Sequence, residues 1–160
     1  MRVLMPGSYD PCTVGHLAVI EQAAALYGDV TVAVFINPEK KGLFSYDERV
    51  EFLRLATAHM ATVKVVFSDG MVADYAREGG FDAIVKGVRN DADRRYEEAM
   101  AEYNLRRGGV PTILLDAPDA LAEVSSTAVR QALAAGDEPE GLLPAPAAAA
   151  IHKAFLEKHS

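Results

Sequence analysis

The chain has 160 residues, half of them hydrophobic, which suits one domain with a full core. Its net charge of −7 argues against non-specific nucleic-acid binding, and its single cysteine, Cys12, excludes an internal disulfide and a cysteine-based zinc site. No stretch approaches the roughly 20 apolar residues of a membrane span, and Asp10 and Pro11 interrupt the first apolar run too early for a signal peptide, so a cytoplasmic protein is expected.

Apolar and amphipathic segments alternate along the chain. A first strand is predicted over Arg2–Met5, then a Gly-containing loop from Gly7, then a helix over His16–Tyr27 that Gly28 caps. A strand over Val30–Ile36 leads through Asn37-Pro38-Glu39-Lys40-Lys41 to a helix over Tyr46–Met60. That helix opens on Ser45-Tyr46-Asp47-Glu48, a capping-box pattern. Next come a strand over Val63–Phe67 and a helix over Val72–Glu78, ended by Gly79-Gly80. A strand over Ala83–Lys86 is followed by a helix over Asp93–Arg107, ended by Gly108-Gly109. A strand over Pro111–Leu115 precedes a helix over Thr127–Ala135. The acidic, Pro-bearing stretch Asp137–Pro144 reads as a loop before a last helix over Pro146–Lys158, with Pro146 in its first turn. Most of the strands are continuous runs rich in Val and Ile, as expected when both faces are covered. The β-α alternation implies an α/β fold: a parallel sheet with helices on both faces.

Three stretches carry chemistry. The run Gly7-Ser8-Tyr9-Asp10-Pro11-Cys12-Thr13-Val14-Gly15-His16 falls at the first strand-to-helix junction. Its glycines permit close backbone approach, and His16 falls in the first helical turn, where free N–H groups and the positive dipole end attract phosphate. An ordinary turn is the alternative. Lys86-Gly87-Val88-Arg89 closes the fourth strand and brings two cations to the rim of the sheet; the planar fork of Arg89 can hold two oxygens at once. Ser125, Ser126 and Thr127 precede the fifth helix, where they serve as caps or as a phosphate cradle. Taken alone, Lys40 and Glu97 read as surface charge. His59, His152 and His159 have no ligand-like spacing, and no His/Cys/Asp/Glu cluster resembles a protein-held metal site. A triad of Ser8, His16 and Asp10 lacks the nucleophile-elbow pattern.

Thr13-Val14-Gly15-His16 resembles the (Thr/His)-x-Gly-His signature of the nucleotidyltransferase superfamily of adenylyl- and cytidylyltransferases. Pro6 to His16 is similar to the Pro-Gly-Ser/Thr-Phe-Asp-Pro-x-Thr-x-Gly-His pattern of the phosphopantetheine adenylyltransferase family, with Tyr9 in place of Phe. The resemblance runs over essentially the whole chain and implies a single nucleotidyltransferase domain over 1–160. It also implies a Rossmann-like five-stranded parallel sheet of order 3-2-1-4-5, whose first and fourth strands flank the switch point. The implied reaction is adenylyl transfer from ATP to 4′-phosphopantetheine, giving dephospho-CoA and pyrophosphate, by in-line attack without a covalent enzyme intermediate. The implied setting is cytoplasmic, with Mg2+ carried by ATP, a homo-hexameric assembly and CoA as an inhibitor.

By the same resemblance His16, Lys40 and Arg89 are catalytic. ATP is bound by Ser8, Tyr9, His16, Gly87, Val88, Arg89, Glu97, Leu121, Ala122, Glu123, Val124, Ser125, Ser126 and Thr127. The second substrate is bound by Ser8, Lys40, Val72 and Lys86, with Met71-Val72 along the pantetheine arm. Besides Tyr9, four residues depart from the family pattern: Arg94 and Arg95 after the fourth strand, and Leu121 and Glu123 at positions that are aromatic in relatives. Two alternatives stay in view, the second of them because of these four residues. One is adenylyl or cytidylyl transfer to another phosphorylated acceptor; the other is a nucleotide-binding regulator without turnover.

Overall fold

The structure, a computed structural model, describes residues 1–139 and 141–159. Strands β1 (Arg2–Gly7), β2 (Asp29–Phe35), β3 (Val63–Ser68), β4 (Ala83–Val88) and β5 (Thr112–Asp116) form one parallel sheet in the order β3-β2-β1-β4-β5, as the family resemblance implies. Successive side chains feed opposite faces. Val3 and Met5 join Val30, Val32 and Val34 in the larger core, covered by α1 (Val14–Tyr27), α2 (Tyr46–Thr57), α5 (Ser126–Ala134) and α6 (Ala145–Lys158). Leu4 joins Ala33 and Ile84 on the other face, under α3 (Val72–Glu78), against which α4 (Asp91–Gly108) packs.

Two helices, α1 and α4, begin two residues earlier than periodicity suggests, because capping chemistry rather than the apolar repeat sets their starts. The Thr13 hydroxyl accepts the His16 N–H at 3.2 Å while His16 Nδ1 accepts the Thr13 N–H at 3.0 Å. This is a reciprocal capping box with histidine where Glu or Gln is usual. At α4 the Asn90 side chain accepts the Asp93 N–H at 2.8 Å. The expected double coverage fails at the margins. Strands β3 and β5 are the outer strands of the sheet, Thr112 to Leu115 of β5 are only partly buried with Asp116 exposed, and Phe67 on β3 is 57% exposed. The loop expected over Asp137–Pro144 contains Glu140, which lies outside the described residues; its other positions are non-helical.

One detail of register positions everything that follows. Strands β1 and β4 pair only at Val3↔Ala83 and Leu4↔Ile84. Beyond that point β1 stays paired to β2 as far as Gly7↔Val34, and β4 to β5 as far as Val88↔Asp116. The sheet therefore splits at its C-terminal rim where the strand order reverses, and a crevice opens.

Candidate active site

The crevice is a cavity of about 320 Å³, within the range of small-molecule sites. Met5, Pro6 and Gly7 of β1 form one wall and Val85, Lys86 and Gly87 of β4 the other. Ser8, Tyr9, Thr13, Gly15, His16 and Val19 contribute from the first loop and α1. Arg89 comes from the turn between β4 and α4, Asp93 and Glu97 from the first turns of α4, Ala117 from beyond β5, Val124 and Ser125 from the approach to α5, and Ser126 and Thr127 from its first turn.

His16 is fixed by what its ring already holds. A backbone N–H can only donate, so the bond from Thr13 N to Nδ1 makes Nδ1 the acceptor and places the ring proton on Nε2. Burial, reinforced by the nearby cations Lys86 and Arg89, pushes the imidazole down to about 4. At neutral pH the ring is a neutral Nε2–H donor at the cavity wall. Tyr9 supports it from the side, ring to ring at 4.9 Å in an edge contact. Tyr9 adopts a left-handed backbone (φ 46°), which costs a non-glycine residue roughly 1–2 kcal/mol. Its hydroxyl donates to the Met5 carbonyl at 3.0 Å, and burial pushes the phenol well above its ordinary range. Gly7 makes room for this ring: a Cβ there would lie 3.0 Å from it.

The cations opposite are held by carboxylates of α4. Lys86 Nζ donates to the Pro6 carbonyl at 3.1 Å and stands 3.6 Å from Glu97. Burial raises the Glu97 carboxyl pKa, against the pull of Lys86. Arg89 Nε donates to Asp93 at 2.9 Å, and its Nη1 reaches the Val124 carbonyl at 3.5 Å. Gly87 has a packing reason of its own: a Cβ would stand 2.9 Å from Val19 Cγ2, so it lets α1 lie close over β4. At α5, Ser125 Oγ accepts the Ala128 N–H at 3.0 Å, and Ser126 Oγ donates to the Pro11 carbonyl at 2.7 Å. Thr127 Oγ1 accepts from Arg130 at 3.1 Å. The hydroxyls are thus engaged in structure, while the first-turn N–H groups of α5 supply an anion-attracting end.

Ser8, Tyr9, His16, Lys86, Gly87, Arg89, Glu97, Val124, Ser125, Ser126 and Thr127 therefore converge on one cavity. Lys40, Val72, Val88, Leu121, Ala122 and Glu123 do not line it. Lys40 is exposed on the loop between β2 and α2, Val88 is buried at the end of β4, and Val72 packs against the smaller core. Leu121 ends a short 3-10 turn, with Ala122 and Glu123 just after it. Arg94 pairs with Asp116, and Arg95 is exposed; neither lines the cavity. Two further arginines carry weight that sequence reasoning missed. Arg130 donates to the Asp10 carbonyl at 2.8 Å, and Arg49 is 5% exposed beneath the first loop. The available signal for Arg49 was its place beside Val50 in a helix whose neighbouring apolar positions face inward.

Cys12 is buried, and burial pushes its thiol up to about 12, so it stays protonated and unreactive. Among the described residues no group of three or more His, Cys, Asp or Glu could hold a metal ion, and no helix is long and apolar enough to cross a membrane.

Comparison with known proteins bears on this geometry. The chain matches the Cytidylyltransferase-like family over residues 4–132. It is 39% identical over 160 residues to the phosphopantetheine adenylyltransferase of Corynebacterium glutamicum (strain R), with 99% of this chain and 100% of that protein covered. The phosphopantetheine adenylyltransferase of Corynebacterium efficiens is 39% identical over 159 residues, again over 99% of this chain and 100% of its own length. Among solved structures, the lipopolysaccharide core biosynthesis protein from Thermoplasma volcanium GSS1 is similar with a TM-score of 0.55. At 18% identity, covering 74% of this chain and 96% of that one, this is a likeness of fold.

Proposed function

The chain belongs to the phosphopantetheine adenylyltransferase family, and from that premise we propose that the crevice between β1 and β4 transfers the adenylyl group of ATP to 4′-phosphopantetheine, releasing dephospho-CoA and pyrophosphate. The observation that carries the site assignment is His16, its Nδ1 occupied by a backbone N–H, facing the same cavity as Lys86 and Arg89.

The nucleophile is the phosphate of the acceptor. Its second pKa is about 6, so it is mostly dianionic at neutral pH and needs no general base. It attacks the α-phosphorus of ATP in line. The new P–O bond forms as the bond to the β-phosphate oxygen breaks, and pyrophosphate leaves. Two polyanions must meet, so positioning and charge stabilisation dominate. His16 donates from Nε2 to the α-phosphoryl oxygens. Its bond with Thr13 holds the tautomer throughout, and its depressed pKa keeps it neutral beside the cations. Lys86 receives the acceptor phosphate and Arg89 the triphosphate, each pre-set by a carboxylate one turn apart on α4, Glu97 and Asp93.

Ser8 hydrogen-bonds the phosphoryl oxygens. Tyr9, Gly87, Val88, Glu97 and the segment Leu121, Ala122, Glu123, Val124, Ser125, Ser126 and Thr127 complete the ATP site. Lys40 reaches in from its exposed loop, and Val72 with Met71 follows the pantetheine arm. Mg2+ belongs to the ATP substrate, which fits a hard cation that keeps water and phosphate oxygens as ligands.

The assembly we propose is a homo-hexamer, with CoA as an inhibitor at the same crevice. Tyr96, Met100 and Tyr103 are exposed along one face of α4, which supports a subunit contact there. The single, buried Cys12 and the use of ATP support a cytoplasmic setting. Mass spectrometry of the mixture with MgATP and 4′-phosphopantetheine tests the reaction: dephospho-CoA and pyrophosphate in equal amounts are expected. Preference for CTP, or for a different phosphorylated acceptor in a substrate panel, would overturn the substrate assignment.

A further inference from the structure

We infer that Asp10 and Arg49, which lie outside the cavity wall, form a buried clamp that sets the His16-bearing loop against the loop bearing Lys40, and so act as positioning residues for the transfer. The inference rests on the functional reading above.

Both side chains are almost fully buried and stand 3.3 Å apart. The Asp10 carboxylate accepts the backbone N–H groups of Leu43 and Phe44, each at 2.9 Å. Arg49 Nε donates to the Phe44 carbonyl at 2.9 Å and Nη1 to the Ser8 carbonyl at 3.3 Å, while the guanidinium lies 4.5 Å from the Tyr46 ring centre. From the far side, Arg130 donates to the Asp10 carbonyl and Ser126 to the Pro11 carbonyl. Three segments thus meet at Asp10: the loop with Ser8, the base of the Lys40 loop, and the first turns of α5. Gly42 passes against the clamp so tightly that a Cβ would stand 1.6 Å from Arg49 Nη2 and 2.8 Å from Asp10 Oδ2.

Stability does not require such a pair. Burying two charges loses much of what their attraction returns, and well-packed apolar residues commonly serve as well. What an apolar pair would not do is tie two backbone N–H groups and two carbonyls from separate loops to one point. That tie fixes where Ser8 lies relative to the root of the Lys40 loop. Misplacement by about 1 Å in such a site can cost about 10²-fold in rate.

The test uses Asp10→Asn, Arg49→Lys and Gly42→Ala in the full chain, read by kcat, the two KM values, thermal midpoint, and hydrogen exchange at the Leu43 and Phe44 amides. In folded variants kcat falls about 10- to 100-fold with the KM for ATP within about twofold. In Asp10→Asn those two amides also exchange faster. Gly42→Ala leaves both charges in place, so it carries the test if either charge variant fails to fold. In a Lys40→Ala background Arg49→Lys costs much less than alone, because the clamp acts through that loop. A folded set with unchanged kcat overturns the clamp, as does a loss that merely follows the unfolded fraction or adds fully to Lys40→Ala. The unaltered chain separates the two ideas. If it makes no dephospho-CoA, the functional reading falls and the clamp with it; if it does and the variants match it, only the clamp falls.

Discussion

The loops after β1 and β2 are built in opposite ways. In the first, Tyr9, Asp10, Cys12 and Thr13 are buried, and hydrogen bonds or ring contacts hold Tyr9, Asp10 and Thr13. In the second, Asn37 to Lys41 are exposed, and the anchors lie at its ends: Ile36 N–H on the Ser68 carbonyl, and Leu43 and Phe44 on Asp10. The contrast separates two tasks. A donor that stabilises charge developing at one phosphorus must be set before the reaction begins, because rearranging it during the reaction would add to the barrier. A cation that meets an arriving substrate can sit on an open loop, provided the root of that loop is fixed.

The sharpest way to break this contrast is His16→Ala. The fold and much of the ATP affinity persist, while single-turnover adenylyl transfer falls by at least about 10²-fold. Near-normal turnover would remove the distinction between the loops. Acid stability tests the same preset ring. An unfolded His16 takes up its proton near pH 6.5, the folded one only at about 4, so the unfolded chain binds more protons in between. Stability is therefore lost as pH falls from 6.5 towards 4, by up to about 3 kcal/mol from this residue. Denaturant midpoints of His16→Asn should fall less over that window than those of the unaltered chain; parallel curves would contradict the neutral, partly buried imidazole.

Lys86→Ala sharpens the contrast from the opposite wall. The KM for 4′-phosphopantetheine rises about tenfold, in keeping with one charge-assisted hydrogen bond, while the KM for ATP moves less. Steady-state kinetics with each substrate varied in turn checks this; equal shifts in both would reassign Lys86. The smallest effect expected is at Cys12. Its thiol, protonated and inside the first loop, should label with an aromatic disulfide reagent only as fast as the protein opens. Rapid labelling of the native protein would show the first loop to be as open as the second.

Much of this was legible along the chain. The five strands and six α-helices of the described residues could be read from continuous apolar runs alternating with amphipathic segments and from their Gly, Pro and cap signals, because these are local and need no distant information. His16 could be placed in a first helical turn, and Ser45 with Glu48 as a capping box, because each depends on residues three apart. The motif loops, read with their family resemblance, pointed to strands one and four as neighbours at the switch point.

Other features were decided only when the chain closed on itself. Asp10 looks like a turn former in sequence, yet its partners Leu43, Phe44 and Arg130 are 33, 34 and 120 positions away. Gly87 reads as room for a ligand, but the nearest obstacle to a side chain there is Val19 of α1. The early parting of β1 and β4, which opens the cavity, leaves no mark in either strand, since both remain paired on their other sides. Sequence by itself determined the elements, their order and the chemistry available at the rim, because these follow from neighbours within a few residues. Tertiary structure alone decided which charges are buried together and where the sheet splits, because those are set by packing between segments far apart in the chain.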